Sequence, residues 1–245
     1  MMLAGNSLQH LDFFLDKLSN KEPFSFIRPN DGEYMIIKDD RFTNIDAWTF
    51  SGGALRTDLL TAIQGCAVVD NCYVGLPCKA CWGGDMTAWC IENYKIRPGN
   101  LTYGNLVCNK NWKIFTDYMI NKRVPLYYVG PGKEPSDKLN VVDRYYTDPF
   151  QIERWTSEKS TFLEGVHSWV KHHIDTATEP LVFAFSVGPL SKILISQLCA
   201  KYTTHFFMDI GSAFDIFLKG ISNRGYITPS GPYSEIVCDF DTGHM

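Results

Sequence analysis

The 245-residue sequence predicts an α/β fold, a single domain with a mainly parallel, Rossmann-like sheet flanked by helices. Three observations carry that expectation. Short apolar runs alternate with amphipathic stretches of helical period along most of the chain. One run, Leu181-Val182-Phe183-Ala184-Phe185, is apolar without interruption, as suits a strand covered on both faces. Several runs lead straight into polar, glycine-bearing loops, the pattern of strands whose carboxyl ends carry ligand loops. No Pro/Ser linker, internal repeat or low-complexity segment divides the chain, so one domain spans 1–245. Its last part, 222–245, is rich in Gly, Pro and Ser and reads as a loop-rich tail.

The elements follow in order. Leu8, Leu11, Phe14, Leu15 and Leu18 have helical spacing, with Asn6 or Ser7 placed as N-cap. Phe24 to Arg28 reads as a strand that exits at Asn30-Asp31-Gly32-Glu33. Leu55 to Ile63 is an amphipathic helix closed by Gly65. Cys72 to Leu76 is a buried strand, Asp85 to Tyr94 a helix, Leu101 to Val107 an extended segment, and Trp112 to Ile120 a helix. Val124 to Val129 runs as a strand into Gly130-Pro131-Gly132-Lys133, and Val141-Val142 is a short strand. Trp155, Phe162, Val166, Trp169 and Val170 form a helical stripe that belongs to the core. The helix Leu190 to Tyr202 and the short strand His205 to Met208 complete the pattern.

Composition narrows the function classes. Lys plus Arg is 23 against 27 for Asp plus Glu, a net charge of −4 that argues against a nucleic-acid footprint. No apolar run is long enough to span a bilayer. The N-terminus lacks the charged and apolar regions of a signal peptide. Eight cysteines without a secretory leader read as mostly reduced, buried thiols, which places the protein in the cytoplasm. Cys78-Lys79-Ala80-Cys81 has metal-ligand spacing, but neither a second CxxC nor a His pair completes a zinc set, so structural thiols are the expectation; Cys72 and Cys90 are the nearest further thiols.

Four loops follow strands and concentrate the chemistry. In an extended chain Asp31 and Glu33 point to the same side, with Gly32 between them as a hinge. Two neighbouring carboxylates repel unless a cation or proton holds them, and a hard divalent ion suits oxygen ligands. The same Asn-Asp-Gly is equally a turn signal. Ser186-Val187-Gly188-Pro189-Leu190-Ser191-Lys192 reads as a strand–turn–helix in which proline starts the helix. The free N–H groups of that helix end, with Ser186, Ser191 and Lys192 as added donors, suit a diphosphate, although Walker A spacing is absent. Asp209-Ile210-Gly211-Ser212-Ala213-Phe214-Asp215 supplies two further acids, each a ligand, a base or a helix cap. The six histidines show no HExxH or similar pattern.

Arg28-Pro29-Asn30-Asp31-Gly32-Glu33 resembles the Arg-x-x-Asp-Gly-Glu signature of GT-D fold glycosyltransferases, nucleotide-sugar enzymes of bacterial and large-virus surface glycans. Ser51-Gly52-Gly53-Ala54-Leu55, Tyr73-Val74-Gly75-Leu76-Pro77 and Asn109-Lys110-Asn111-Trp112-Lys113 are similar to other family segments, in the same order, as are the Ser186 and Asp209 loops. The resemblance runs from about residue 20 to 217. It implies a GT-D type fold and transfer of glucose, galactose or xylose from a UDP-sugar to an oligosaccharide or glycoprotein acceptor. It implies a Mn2+ or Mg2+ ion at Asp31 and Glu33, the DxE pair, and nucleotide contacts from Gly188 and Lys192. Asp209 matches the acid of the family's final motif; if the transfer inverts, Asp209, or in second place Asp215, is the expected base, and Arg28, Asn30, Ser191 and Asp215 join the expected substrate-binding set. Pro29-Asn30 departs from the family's Phe-Gly and alters the local backbone. Trp48, Trp82 and Tyr103 are candidates for stacking on sugar or uracil. A non-catalytic nucleotide- or sugar-phosphate-binding module is the rival; a metal-dependent hydrolase ranks behind both, for want of a triad or histidine cluster.

Overall fold

A computed structural model describes residues 5–82, 84–228, 230–241 and 243–244, with Trp82, Gly243 and His244 described through their backbone alone. The chain opens with helix α1 (Ser7–Ser19), and Asn6 is its N-cap. Its side chain accepts from the N–H groups of Leu8 and Gln9, and the Gln9 side chain accepts the Asn6 N–H in return. That reciprocal pair satisfies donors the first turn cannot pair internally. Strand β1 (Ser25–Ile27) leads to helix α2 (Asp31–Lys38), and a small hairpin of β2 (Phe42–Thr43) and β3 (Thr49–Phe50) follows. Next come α3 (Leu55–Cys66), β4 (Cys72–Leu76), α4 (Lys79–Trp82), α5 (Gly84–Tyr94), β5 (Leu101–Tyr103) and α6 (Lys110–Asn121). The second half runs β6 (Leu126–Gly130), β7 (Val141–Tyr146), α7 (Trp155–Thr176), β8 (Val182–Phe185), α8 (Pro189–Lys201), β9 (Phe206–Asp209) and α9 (Asp215–Leu218). Two short antiparallel strands, β10 (Cys238–Asp239) and β11 (Gly243–His244), close the chain.

Seven strands form one sheet in the order β5-β4-β1-β9-β8-β6-β7. Every pairing in it is parallel, so the expectation of a mainly parallel sheet is met in full. The pleat sends alternate side chains of β8 to opposite faces. Phe183 and Phe185 join the core beneath α2, α3, α5, α7 and α8, whereas Val182 and Ala184 join the core beneath α1, α6 and α9. The Trp155–Val170 stripe lies in the first of these cores, as its spacing predicts.

Four local expectations need correction. Residues 31–38 are helical, so Asp31 and Glu33 are first-turn residues and not neighbours on an extended strand exit. Gly65 lies inside α3 and does not end it. Extended chain after residue 100 stops at Tyr103, because Leu106 and Cys108 turn back to bond Tyr103 and Asn105. The tail carries the β10–β11 ladder, in which Cys238 pairs with His244.

The topology places the site. From β1 the chain passes to α2 on the first face, and from the neighbouring β9 it passes to Phe214 and α9 on the second. Connections that diverge from adjacent parallel strands leave a crevice at their carboxyl ends.

Candidate functional site

That crevice is a cleft of about 560 Å3. Its floor is the carboxyl ends of β1, β8 and β9; its walls are the N-terminus of α2, the β2–β3 turn, the loop after β7 and residues 221–226. Acids outnumber bases on its lining: Asp31, Glu33, Asp46, Asp148, Asp209 and Asp215 stand against Arg28, Lys192, Lys219 and Arg224.

At the floor Lys192 joins two carboxylates that the sequence keeps far apart. Its Nζ lies 2.8 Å from Glu33 Oε1 and 2.7 Å from Asp209 Oδ2, and it donates to the Gly188 carbonyl at 3.2 Å. An ammonium has three N–H donors, and here all three have acceptors. Asp209 also accepts the backbone N–H groups of Arg28 and Gly211, each at 3.2 Å. Glu33 reaches back to the Asn30 N–H at 2.8 Å, the N3 half of a capping box. Burial pushes the Lys192 ammonium toward neutrality, but attraction to Asp209 and Glu33 outweighs it and holds the pKa above its ordinary value. Burial raises the Asp209 pKa, against the pull of Lys192 and Arg28. The ammonium at 2.7 Å and the two peptide donors favour the ionised form of this carboxylate.

This arrangement revises the expected role of Lys192, which has no donor left for a phosphate. Ser191 is likewise not at the cleft: it is fully buried, and its hydroxyl accepts the Val187 N–H at 3.2 Å. The helix end expected to cradle an anion uses its own donors. Leu190 N–H bonds Val187, Ser191 N–H bonds Gly188, and Pro189 has none. Among the described residues the Gly188 N–H is the donor of this turn left without an internal bond. Gly188 has φ +55°, and a Cβ there would meet nothing within 4 Å, so the glycine serves backbone shape alone.

The remaining predicted residues divide clearly. Asp31 is exposed at the lip of the cleft, and no protein group among the described residues engages its carboxylate. Asp209 is 0% exposed with both oxygens engaged, so a substrate hydroxyl reaches it only if Lys192 moves. Asp215 lines the cleft and pairs with Lys219 at 3.0 Å. Burial raises its pKa, and Lys219 opposes the rise. Arg28 lines the cleft, donates to the Ile210 carbonyl at 3.4 Å and makes no hydrogen bond to Asp31 or Glu33. Asn30 lines the cleft too, but a Cβ on Gly104 would lie 2.7 Å from its Oδ1, so that oxygen faces β5. Trp48 lines the cleft, whereas Tyr103 stacks on Phe240 elsewhere; the Trp82 side chain lies outside the described residues. Asn111 is a structural residue that donates to the carbonyls of Ser7 and Leu106.

Sequence reasoning missed the contribution of residues 221–226. Arg224 crosses from this segment to Asp46 in the β2–β3 turn at 2.5 Å. Its Nε is buried without a partner, as is Thr147 Oγ1, and both residues line the cleft. Buried polar atoms are seldom left unpaired, so such atoms on two walls of the cleft suit a polar ligand between them.

No family model matches the sequence, and no curated protein matches it. Solved structures do share its fold. A glycosyltransferase (DUF1792) from Streptococcus sanguinis is 17% identical with a TM-score of 0.58, covering 95% of this chain and 91% of that one. A selenomethionine-substituted domain of unknown function 1792 is 13% identical with a TM-score of 0.55, over 86% of this chain and 80% of that one. The highly conserved domain of unknown function 1792, with its distinct glycosyltransferase fold, matches at 13% identity and a TM-score of 0.52. The chain therefore has the GT-D type fold that its motifs implied.

Proposed function

We propose that this chain is a glycosyltransferase that moves glucose, galactose or xylose from a UDP-sugar to an oligosaccharide or glycoprotein acceptor. The observation that carries the reading is the polar cleft at the divergence of β1 and β9, with two guanidinium groups, Arg28 and Arg224, on its walls. Guanidinium forks match diphosphate oxygens. The excess of acids would otherwise repel a diphosphate, which supports entry of the donor with a divalent cation.

The donor set fits Mn2+ or Mg2+ in part. Asp31 offers an exposed, unengaged carboxylate, and such ions are often held by one or two carboxylates plus substrate phosphates. Glu33 has both oxygens engaged by Lys192 and Asn30, so it serves the proposed site by fixing the α2 terminus that carries Asp31. The ion would supply Lewis-acid neutralisation of the diphosphate. Arg28 and Arg224 would hold phosphate oxygens, and the Gly188 N–H would face the charge that develops on the leaving group. For an inverting transfer, Asp215 is the acid placed to take the acceptor proton, because its raised pKa and cleft position suit a base better than sealed Asp209. Among the described residues no helix is long and apolar enough to cross a membrane, and all eight cysteines are free. The free thiols support a cytoplasmic site of action.

The non-catalytic reading draws on the same ion pair, since Glu33 and Asp209 are taken up by Lys192 and not left for chemistry. One experiment separates the two. UDP- and GDP-sugars are incubated with the protein and Mn2+, slow sugar release is scored without acceptor, and UDP binding is measured by calorimetry with and without the metal. Metal-dependent UDP binding with turnover of one UDP-sugar is expected. Metal-independent binding with no turnover of any donor would replace the enzyme with a binding module.

A further inference from the structure

We infer that Cys78, Cys81 and Cys238 form a binding site for one zinc ion, outside the cleft. Cys78 immediately precedes α4 and Cys81 lies within it, and Cys238 comes from β10 at the other end of the chain. The ligand sulfurs all lie within 4.8 Å of one another. Cys81 Sγ is 3.6 Å from Cys78 Sγ and 3.7 Å from Cys238 Sγ. These spacings are far too long for disulfides, whose sulfurs lie about 2.05 Å apart. They match the edge of a tetrahedron with Zn–S bonds of about 2.3 Å, roughly 3.8 Å.

The surroundings favour metal over a plain thiol cluster. The Asn105 amide donates to both Cys81 Sγ at 3.2 Å and Cys238 Sγ at 3.3 Å, and the Asn109 amide points at Cys238 Sγ from 3.9 Å. N–H donors aimed at sulfur are what ligating thiolates need from outside the coordination shell. Cys81 is partly exposed, which gives an ion a way in. Binding converts three thiols to thiolates and releases three protons to solvent, with no redox step. An all-sulfur donor face selects Zn2+ over the hard ions expected in the cleft. Cys66, Cys72 and Cys199 form a second trio, but it is buried in the main core with no amide donor on its sulfurs among the contacts seen. It serves as the control.

The ion would staple the C-terminal segment to the sheet. Cys238 N–H donates to Ser7 Oγ, and the Phe240 ring stacks on Tyr103 at 4.1 Å. Residues 221–226, which line the cleft, run on into this stapled segment.

The full chain is expressed in zinc-supplemented medium, dialysed, and assayed for metal by mass spectrometry. One equivalent of zinc is expected per chain, lost in Cys81→Ser and in Cys238→Ser and kept in Cys199→Ala. Cobalt in its place is expected to give the intense absorption of tetrahedral thiolate ligation, absent in the Cys81→Ser chain. Circular dichroism confirms that each variant is folded. The assignment is overturned by folded wild-type protein that takes up neither metal, by zinc that persists in folded Cys81→Ser, or by zinc lost only in Cys199→Ala. A Cys78–Cys81 disulfide in the freshly purified protein would overturn it as well.

Discussion

Lys192 and Asp209 meet at 2.7 Å with 3% and 0% of their surfaces exposed, so the positive charge at the base of the cleft is already committed before any ligand arrives. Removing that ammonium leaves two buried carboxylates without the countercharge they share. Lys192→Met is therefore expected to lower folding stability by about 3–5 kcal/mol, read from urea unfolding at neutral pH. A loss below about 1 kcal/mol would mean that water already shields Glu33 and Asp209.

The same pair sets an alkaline limit. The folded-state pKa of Lys192 lies above its ordinary 10.5, so its contribution to stability is complete below that value. It disappears as pH rises through the higher folded-state value. Unfolding midpoints of the wild type are expected to drop above about pH 10.5 more steeply than those of Lys192→Met. Parallel curves for the two proteins would show that Lys192 does not carry this dependence.

Asp31 and Glu33 share a motif but are expected to part under mutation. Asp31→Asn changes an exposed, unengaged side chain and should leave stability within about 0.5 kcal/mol. If the cleft takes a divalent ion with the donor, this variant loses metal-dependent UDP affinity tenfold or more in calorimetry. Glu33→Gln weakens the contact with Lys192 and should cost about 1–3 kcal/mol of stability. Equal stability losses in both variants would contradict the division of roles.

This split also shows what the sequence could and could not convey. The uninterrupted run from Leu181 to Phe185 announces a central strand because burial on both faces demands it. Asn30-Asp31-Gly32-Glu33 is ambiguous because one set of residues serves a turn, a strand exit and a helix start. An N-cap residue followed at N3 by Glu, just before Tyr34-Met35-Ile36-Ile37, is the capping-box signature that would have resolved it. The partnership of Glu33 with Lys192 leaves no trace in local sequence, since it depends on how β1 and β8 are brought together across β9. Arg224 and Cys238 were hidden for a different reason. A segment rich in Gly, Pro and Ser carries no periodicity, so the sequence gives no sign that it folds back over the cleft and toward Cys81.

Two cleft glycines are expected to fail by different routes. At Gly188 the φ of +55° is the constraint, and the space beside it is open. Gly188→Ala and Gly188→Ser should therefore cost the same, about 1–3 kcal/mol, because backbone strain ignores side-chain size. Gly211 combines φ +49° with an Arg28 nitrogen 2.9 Å from the site of a new Cβ. Gly211→Ala should add displacement of Arg28, so UDP affinity falls to the level of Arg28→Ala. Unfolding curves test the first comparison and calorimetry the second. A marked difference between Gly188→Ala and Gly188→Ser would show that the space is not open in solution.

Arg224 and Asp46 offer the sharpest test of the cleft wall. Their 2.5 Å contact joins two loops with side chains 24% and 38% exposed, so a double-mutant cycle on stability should return only about 0.5–1 kcal/mol. Ligand binding should respond differently to the two substitutions. Arg224→Ala removes a guanidinium whose Nε is buried without a partner in the cleft, and UDP affinity should fall at least tenfold. Asp46→Asn removes the competing carboxylate and leaves the guanidinium in place, so UDP affinity should hold or rise. If the contact served only to tie the loops together, both variants would weaken UDP binding to the same degree, and calorimetry on the two proteins tells these cases apart.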